Sequence, residues 1–412
     1  MVGRIANKKL AQAGKKAHAW ARAHMTICDY ILKRYMRKKP LLGIKLAFCL
    51  HITKETSVLV RCAQKLGAQI AICSANPLST QDDIAAFLSS QNILTYAWRG
   101  ESKSEYNQCI IDVIRFNPDI AVDDGADLHS KIHQMGITKL IGGTEETTSG
   151  VSRLRNLHSR KGLAYPIIGV NNAITKHLFD NRYGTGQSAI DGLMRATGLF
   201  LAGKHLVVCG YGWVGKGVAS RARGMGAIVS VTEVDPVRAL EASMDGFYVA
   251  QLSVCANYAD FIITCTGQKH VVTINEILKM KNGVILANAG HFDVEIDVKS
   301  LYNKDRSPVQ VRPNVERFTI NGKIVYLVSC GRVLNLVSSE GSPPEIMALS
   351  FANQLLSIIY LVKNNNSLQP GIYCVPNDID NLVAHVALRS MNIEIDKLSK
   401  VQQRYKGIYH LE

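Results

Sequence analysis

Residues 204–235, KHLVVCGYGWVGKGVASRARGMGAIVSVTEVD, constrain the fold more than any other stretch. A short apolar run, His205 to Cys209, leads into Gly210-Tyr-Gly212-Trp-Val214-Gly215 and then into a helix-compatible segment. A second apolar run, Ala227 to Thr232, ends at Glu233. Strand, glycine turn, helix, strand and acid in that order predict a βαβ unit that cradles a dinucleotide pyrophosphate, the alternative being a glycine-rich turn in an unrelated βαβ unit. Gly210 permits the tight turn, Gly212 lets backbone N–H groups approach the phosphates, and Gly215 lets the helix pack on its strand. Glu233, about 20 residues on, can accept from a ribose 2′-hydroxyl and repel a 2′-phosphate, so NAD is the expected cofactor. Because this unit lies halfway along the chain, a large partner domain for the substrate is expected ahead of it.

A chain of 412 residues is too long for one ordinary core, so two domains are expected. No apolar run reaches membrane-spanning length; the longest candidate, around residues 41–52, is broken by Lys45 and His51. Ten scattered cysteines with no CxxC pair, several inside apolar runs (Cys49, Cys73, Cys209, Cys265), suggest reduced, buried thiols in a cytoplasmic protein. They suggest no zinc site and no disulfide framework, and no metal is expected.

The net charge of +15 is concentrated at the start: residues 1–40 carry eleven Lys/Arg and one acid, Asp29. A solvated helix face fits this best, with Leu10, Ala17, Trp20, Ile31 and Leu32 as its buried stripe. A basic patch for a polyanion and an organellar leader are the alternatives. No aromatic-interleaved basic stretch supports the first of these, so neither nucleic acid nor membrane is expected as a partner.

Apolar, β-branched runs recur along the chain with helical patterns between them. They are Ile44 to Cys49, Gln69 to Cys73, Ile93 to Ala97, Ile120 to Val122, Lys139 to Ile141 and Pro166 to Val170, resuming with His205 to Cys209, Ile228 to Thr232, Phe261 to Cys265, Val284 to Ala287 and Ile324 to Val328. The rhythm predicts an α/β protein with two doubly wound parallel-sheet domains and a C-terminal helical tail. Helix-forming residues 186–200 link the halves, and Ser342-Pro343-Pro344 reads as a second hinge. Helices are expected near residues 345–362 and 379–389. The expected division is residues 1–185 with 343–384 for substrate, 186–342 for the dinucleotide and 385–412 as tail.

Four polar clusters follow predicted strand ends, where open α/β sheets place their ligands. They are His51-Ile-Thr53-Lys-Glu55-Thr56, Asp123-Asp124-Gly125-Ala-Asp127, Glu145-Glu146-Thr147-Thr148-Ser149-Gly150 and the stretch from Asn172 to Asn181. Each has an ordinary explanation. Asp123 and Asp127 can cap a helix, Thr147 and Thr148 can be turn residues, and Lys176 and Asp180 have the i,i+4 spacing of a surface ion pair. Their combination is what points to a site.

The combination is also recognisable. CLHITKETSVL from Cys49, STQDDIAA from Ser79, DDGADL from Asp123, TEETTSGVSRL from Thr144, NNAITKHLFDNRYG from Asn171, GYGWVGKG from Gly210 and GHFDVEIDV from Gly290 resemble the S-adenosyl-L-homocysteine hydrolase family. The likeness runs from about residue 15 to residue 400. It implies substrate-binding roles for Thr53, Glu55, Thr56, Glu146 and His291, with Glu55 on the adenine edge. It implies acid–base roles for His51 and Asp124 near the 5′ carbon, and contact of Lys176 and Asp180 with the ribose hydroxyls. NAD contacts are implied for Thr147, Thr148, Ser149, Asn181, Gly210, Gly212, Val214, Gly215, Glu233, Arg238, Ala289, Gly290 and Asn335. It implies a homo-oligomer, a dimer or tetramer. The chemistry it implies is transient oxidation of the 3′-hydroxyl, elimination of homocysteine, addition of water and re-reduction. Lys176, with a lowered pKa, is the expected base at the 3′-hydroxyl.

The chain departs from the family pattern at Thr185 (usually Cys), Glu340 (Met), Ser342-Pro343-Pro344 (His-Pro-Ser) and Arg238 (Asn). It ends Lys406-Gly-Ile-Tyr409-His-Leu-Glu412, without the family's Lys-Pro-Asp-His-Tyr-Arg-Tyr tail. Arg238 could draw an NADP phosphate, which Glu233 opposes. Hydrolysis of S-adenosylhomocysteine is the expected activity. The alternatives are the same redox–elimination steps on another adenine nucleoside, as a dehydratase or lyase, and a binding subunit without turnover.

Overall fold

The computed structural model describes residues 3–365 and 367–408. Its strands, in chain order, are β1 (Arg4–Ile5), β2 (Lys45–Cys49), β3 (Gln69–Cys73), β4 (Leu94–Ala97), β5 (Ile120–Asp123), β6 (Gly142–Glu145), β7 (Pro166–Gly169), β8 (His205–Cys209), β9 (Ile228–Thr232), β10 (Tyr248–Val249), β11 (Phe261–Thr264), β12 (Val284–Asn288), β13 (Val309–Arg312), β14 (Val315–Ile320), β15 (Lys323–Val328) and β16 (Gly371–Cys374). They form two eight-stranded sheets, β1-β4-β3-β2-β5-β6-β7-β16 and β10-β9-β8-β11-β12-β15-β14-β13. The chain is α/β with two doubly wound sheets and a C-terminal helix, Lys400–Ile408.

All pairings in the first sheet are parallel, and buried helices cover both faces. That explains why its strands read as unbroken apolar runs. The second sheet is mixed, a correction to the all-parallel expectation: β14 runs antiparallel to β13 and β15. Asn321 and Gly322, both at positive φ, make the two-residue turn between β14 and β15, the backbone a tight hairpin requires.

In each sheet the order reverses beside its first long strand, β2 with β5 and β8 with β11. Such switch points open a crevice at the carboxyl ends of the strands. Register then fixes what lines it. Cys49 pairs with Asp123 and Asp123 with Glu145, so the residues just beyond these three strand ends emerge side by side.

Four expectations need correction. The strand expected at Lys139 to Ile141 lies at Gly142–Glu145. Glycine is required there: a Cβ on Gly143 would collide with the buried His129 ring, and one on Gly142 with Leu361 and the Pro166 carbonyl. The linking helix spans Thr185–Thr197 and stops at Gly198 (φ 67), so Phe200 lies outside it. Trp20 is 62% exposed and leaves the stripe assigned to it, whereas Ile31 and Leu32 are buried as expected. Pro344–Lys363 is long and apolar enough to cross a membrane by length and composition, contrary to the earlier reading. It is mostly buried as the central helix of the first unit, packed with Val58, Leu59 and Val383 in one core. The basic N-terminal helices, Ala11–His24 and Thr26–Tyr35, pack on the same core.

Candidate active site

The two sheet units meet over a cavity of about 400 Å3, within the range of small-molecule sites. Of the residues nominated from sequence, its walls hold His51, Thr53, Glu55, Thr56, Asp124, Glu146, Thr147, Thr148, Ser149, Lys176, Asp180, Asn181, Gly212, Val214, Arg238, Ala289, Gly290, His291 and Asn335. Gly210, Gly215 and Glu233 do not line it.

His51, Asp124 and His291 form one proton-bearing cluster. Asp124 Oδ2 lies 3.7 Å from His51 Nε2, and Asp124 Oδ1 lies 3.4 Å from His291 Nδ1. His51 Nδ1 shares a 2.7 Å hydrogen bond with Ser79 Oγ, which orients the ring. Burial drives His51 down to about 4, against the pull of Asp124 and with help from His291, so the ring is neutral near pH 7. Gly125 (φ 103) explains how His291 approaches from the second unit: a Cβ there would collide with its Nε2.

Glu145, directly behind this cluster, organises both turns. Its Oε1 accepts from Gly125 N (2.9 Å), Thr147 N (2.9 Å) and Thr147 Oγ1 (2.7 Å), and its Oε2 from Ala126 N (3.0 Å). Thr147 in turn accepts from Gly150 N at 3.0 Å, capping the helix Thr148–Lys161. The reading of Thr147 as a turn residue holds, and the same residue lines the cavity.

Lys176 and Asp180 form the second cluster. The Lys176 ammonium lies 3.0 Å from Asp180 Oδ2 and 3.8 Å from Glu146 Oε1, and donates to Asn181 Oδ1 at 3.0 Å. The pair is buried, so the surface reading of the i,i+4 spacing fails. Asp180 and Asn181 sit on a π-helical segment, His177–Gly184, a rare geometry found mostly at functional sites. Ser342 and Ser350 donate to the Asp180 oxygens at 2.8 and 3.3 Å. Ser342, where the family pattern has histidine, thus tethers Asp180 to the hinge.

The expected lowering of the Lys176 pKa is corrected. Desolvation pushes it down, but Asp180 and Glu146 outweigh that and hold the ammonium above its ordinary value. Burial pushes Glu146 well up, and both its carboxyl oxygens lack hydrogen-bond partners. Asp124 Oδ1, Glu55 Oε1 and Asn335 Oδ1 are likewise buried without a hydrogen bond, the first two facing His291 and Lys54 as ion-pair partners. Orphaned polar atoms are costly in a folded interior, and these five line one cavity.

The dinucleotide turn is built as the glycine spacing requires. Gly210 has φ 98, and a Cβ on Gly215 would collide with the Gly210 carbonyl. Gly212 has only Arg238 near its open side, leaving room for a phosphate at the start of the helix Trp213–Gly224. Gly217 on that helix packs directly on Gly186 and the Arg182 carbonyl, locking the turn to the π-helical segment. These features fit NAD. Glu233 faces the turn: its Oε2 accepts from Tyr211 N at 2.6 Å, and its Oε1 from Val234 N at 2.7 Å.

Sequence reading missed several wall residues, among them Asn171, Thr266, Gly267, Gln268, Met347 and Phe351. Met347 and Phe351 carried a signal, being one turn apart just after the noted hinge. Thr266 to Gln268 follow β11, at the switch point, and position alone could have nominated them.

Residues 3–141 match the S-adenosyl-L-homocysteine hydrolase family and residues 181–341 match its NAD-binding domain. An adenosylhomocysteinase of Sulfolobus acidocaldarius is 49% identical over 404 residues, covering 98% of this chain and 97% of its own. One from Saccharolobus solfataricus is 50% identical over 406 residues, with the same coverage. An S-inosyl-L-homocysteine hydrolase of Methanocaldococcus jannaschii is 47% identical over 400 residues, covering 96% of each chain.

Proposed function

The chain belongs to the S-adenosyl-L-homocysteine hydrolase family, and from that premise we propose that it hydrolyses S-adenosylhomocysteine to adenosine and homocysteine with bound NAD. The observation that carries this reading is the meeting of two separate proton-handling clusters in one cavity beside the glycine turn.

The thioether at C5′ is a poor leaving group and the C4′ proton is scarcely acidic. General acid–base catalysis alone supplies about 10²–10⁴-fold, too little for that bond. NAD, when bound, supplies a hydride acceptor that lets C3′ be held as a ketone, and the C4′ proton then becomes α to a carbonyl. The Lys176–Asp180–Glu146 cluster takes the 3′-hydroxyl proton and returns it at the end. Since its ammonium is charged at rest, Lys176 acts as base only after giving up a proton within this group. His51, neutral near pH 7, and Asp124 serve C4′ and C5′: one accepts the C4′ proton, the other protonates the departing sulfur, and when water adds at C5′ its proton is taken up by this pair and a proton is returned to C4′. His291, closing against Gly125, shields the ketone from solvent.

The base subsite is Thr53, Glu55 and Thr56. The Glu55 oxygen left without a hydrogen bond is an acceptor for an adenine amino group. Thr147, Thr148, Ser149, Asn181, Gly212, Val214, Arg238, Ala289, Gly290 and Asn335 surround NAD. The division into residues 1–185 with 343–384 and residues 186–342 is proposed as the pair of bodies that open and close, joined at Thr185 and Ser342. A cytoplasmic homo-oligomer is proposed as well. Free thiols support the compartment, and exposed Val234, Val237 and Met244 on one apolar face support association.

The test is to incubate the purified protein and NAD with S-adenosylhomocysteine and assay free thiol and adenosine. Equimolar release of both supports the reading; a 4′,5′-unsaturated nucleoside in place of adenosine would contradict it.

A further inference from the structure

Lys54 and Glu55 open the helix Lys54–Lys65, whose cap is Thr53. Glu55 is 1% exposed, and its Oε1 is ion-paired to the Lys54 ammonium at 3.2 Å. The same ammonium donates to Glu340 Oε2 at the shorter distance of 2.6 Å. Glu340 belongs to the hinge segment just before Pro343. Glu55 and Glu340 line both the main cavity and a second one of about 410 Å3, and Lys54 lines the second. One ammonium therefore serves a buried carboxylate and a solvated one, and its shorter contact is with the solvated one.

We propose that Lys54 is the specificity-determining residue of the base subsite: its ammonium keeps Glu55 an anionic acceptor, and an anionic acceptor selects a 6-amino purine over a 6-oxo purine. The inference rests on the function proposed above. A 6-amino group offers protons to a carboxylate, whereas a 6-oxo group offers none and repels it. A protonated Glu55 reverses that preference by donating to the oxo oxygen. Glu340 contributes by holding the ammonium aside, so that the Glu55 oxygen stays open to the ligand.

Electrostatics around the pair support this. Burial raises Glu55, and the Lys54 charge is the largest opposing influence. Without Lys54 the carboxyl rises further. The other charged groups nearby are Glu340, with Arg195 and Asp191 acting on it, and His18, which meets the same helix turn through Ser57 at 2.8 Å. Burial lowers His18 to about 4, as it does His51, so neither titrates between about pH 6 and 8.

The experiment compares kcat/KM for S-adenosyl- and S-inosyl-homocysteine across that pH range in the wild type, Lys54→Met, Lys54→Arg and Glu340→Gln. The wild type is expected to prefer the adenosyl compound with a ratio that is flat in pH. Lys54→Met is expected to lower the ratio at least about tenfold near pH 6, with recovery as pH rises, one pKa unit being a tenfold change in protonation. Lys54→Arg should restore the flat ratio. Glu340→Gln should raise KM for the adenosyl compound and lower the ratio equally at every pH, because Lys54 then turns onto Glu55 and covers the acceptor. If Lys54→Met does not fold, Lys54→Gln carries the same expectation. An unchanged ratio in the uncharged variant, or a wild type that prefers the inosyl compound, overturns the role of Lys54. A wild type that releases thiol from neither compound overturns the proposed function itself.

Discussion

The Lys176 ammonium sits 3.0 Å from Asp180 Oδ2, buried and one helical turn away along an irregular segment. A buried pair of this kind is weak evidence for stability, since desolvation offsets most of its Coulomb gain. Its value lies in chemistry: Glu146, 3.8 Å from the same ammonium and otherwise without a hydrogen bond, makes a group of three that can pass a proton among its members. Lys176→Ala should therefore abolish substrate-dependent NADH formation by at least about 10²-fold, while NAD still binds. Stopped-flow absorbance checks the first part and calorimetry the second.

Gly125→Ala should be far more damaging than its size suggests. Its φ of 103 is strained for alanine, and the added Cβ meets His291 Nε2. We expect a stability loss of about 1–3 kcal/mol and a larger fall in kcat than in NAD affinity, because His291 is displaced from Asp124. Thermal melting and steady-state kinetics read the two effects separately.

His129 gives a pH prediction away from the ligands. Its Nδ1 meets Tyr165 Oη at 3.1 Å and its Nε2 meets the Thr144 carbonyl at 3.1 Å. Burial lowers it from 6.5 to about 4. Between those values the unfolded chain binds more protons than the folded one, so this residue costs stability increasingly as pH falls through the window. The stability of the wild type relative to His129→Asn should fall from pH 7 to pH 4 by a value on the order of 3 kcal/mol. Denaturant unfolding at each pH measures it, and a pH-independent difference would exclude the effect.

Glu233→Ala should weaken NAD binding about 10- to 100-fold with little effect on kcat at saturating cofactor. The carboxylate braces the glycine turn through Tyr211 N, and its loss removes a charge-assisted hydrogen bond. Titration of the NAD-free protein provides the measurement. A gain in NADP affinity would show that repulsion of the 2′-phosphate is its second role.

Much of this architecture was legible because it is written locally. The strand runs ending at Cys49, Val122 and Cys209 sit where the periodicity put them, the second extending one residue further to Asp123, and the glycine spacing from Gly210 defined its turn. What escaped depends on distant partners. Gly142 and Gly143 do not look like a strand until His129 and Leu361 are seen packed against them. β16 was hidden beyond a polar turn, and β14 was missed, although β15 was expected and Asn321-Gly322 is a strong hairpin signal. The charge state of Lys176 was misjudged because burial was weighed without its two carboxyl neighbours. The Ser342 to Asp180 bond joins residues far apart in the chain, and no spacing rule predicts it. Residues 409–412, part of the altered tail, lie outside the described residues.

The central claim is oxidation at C3′, and the most direct test is turnover of the 3′-deoxy analogue of S-adenosylhomocysteine. The account predicts no thiol release and no NADH signal with this compound, beside normal release from the parent under identical conditions. Thiol released from both compounds at comparable rates would contradict it.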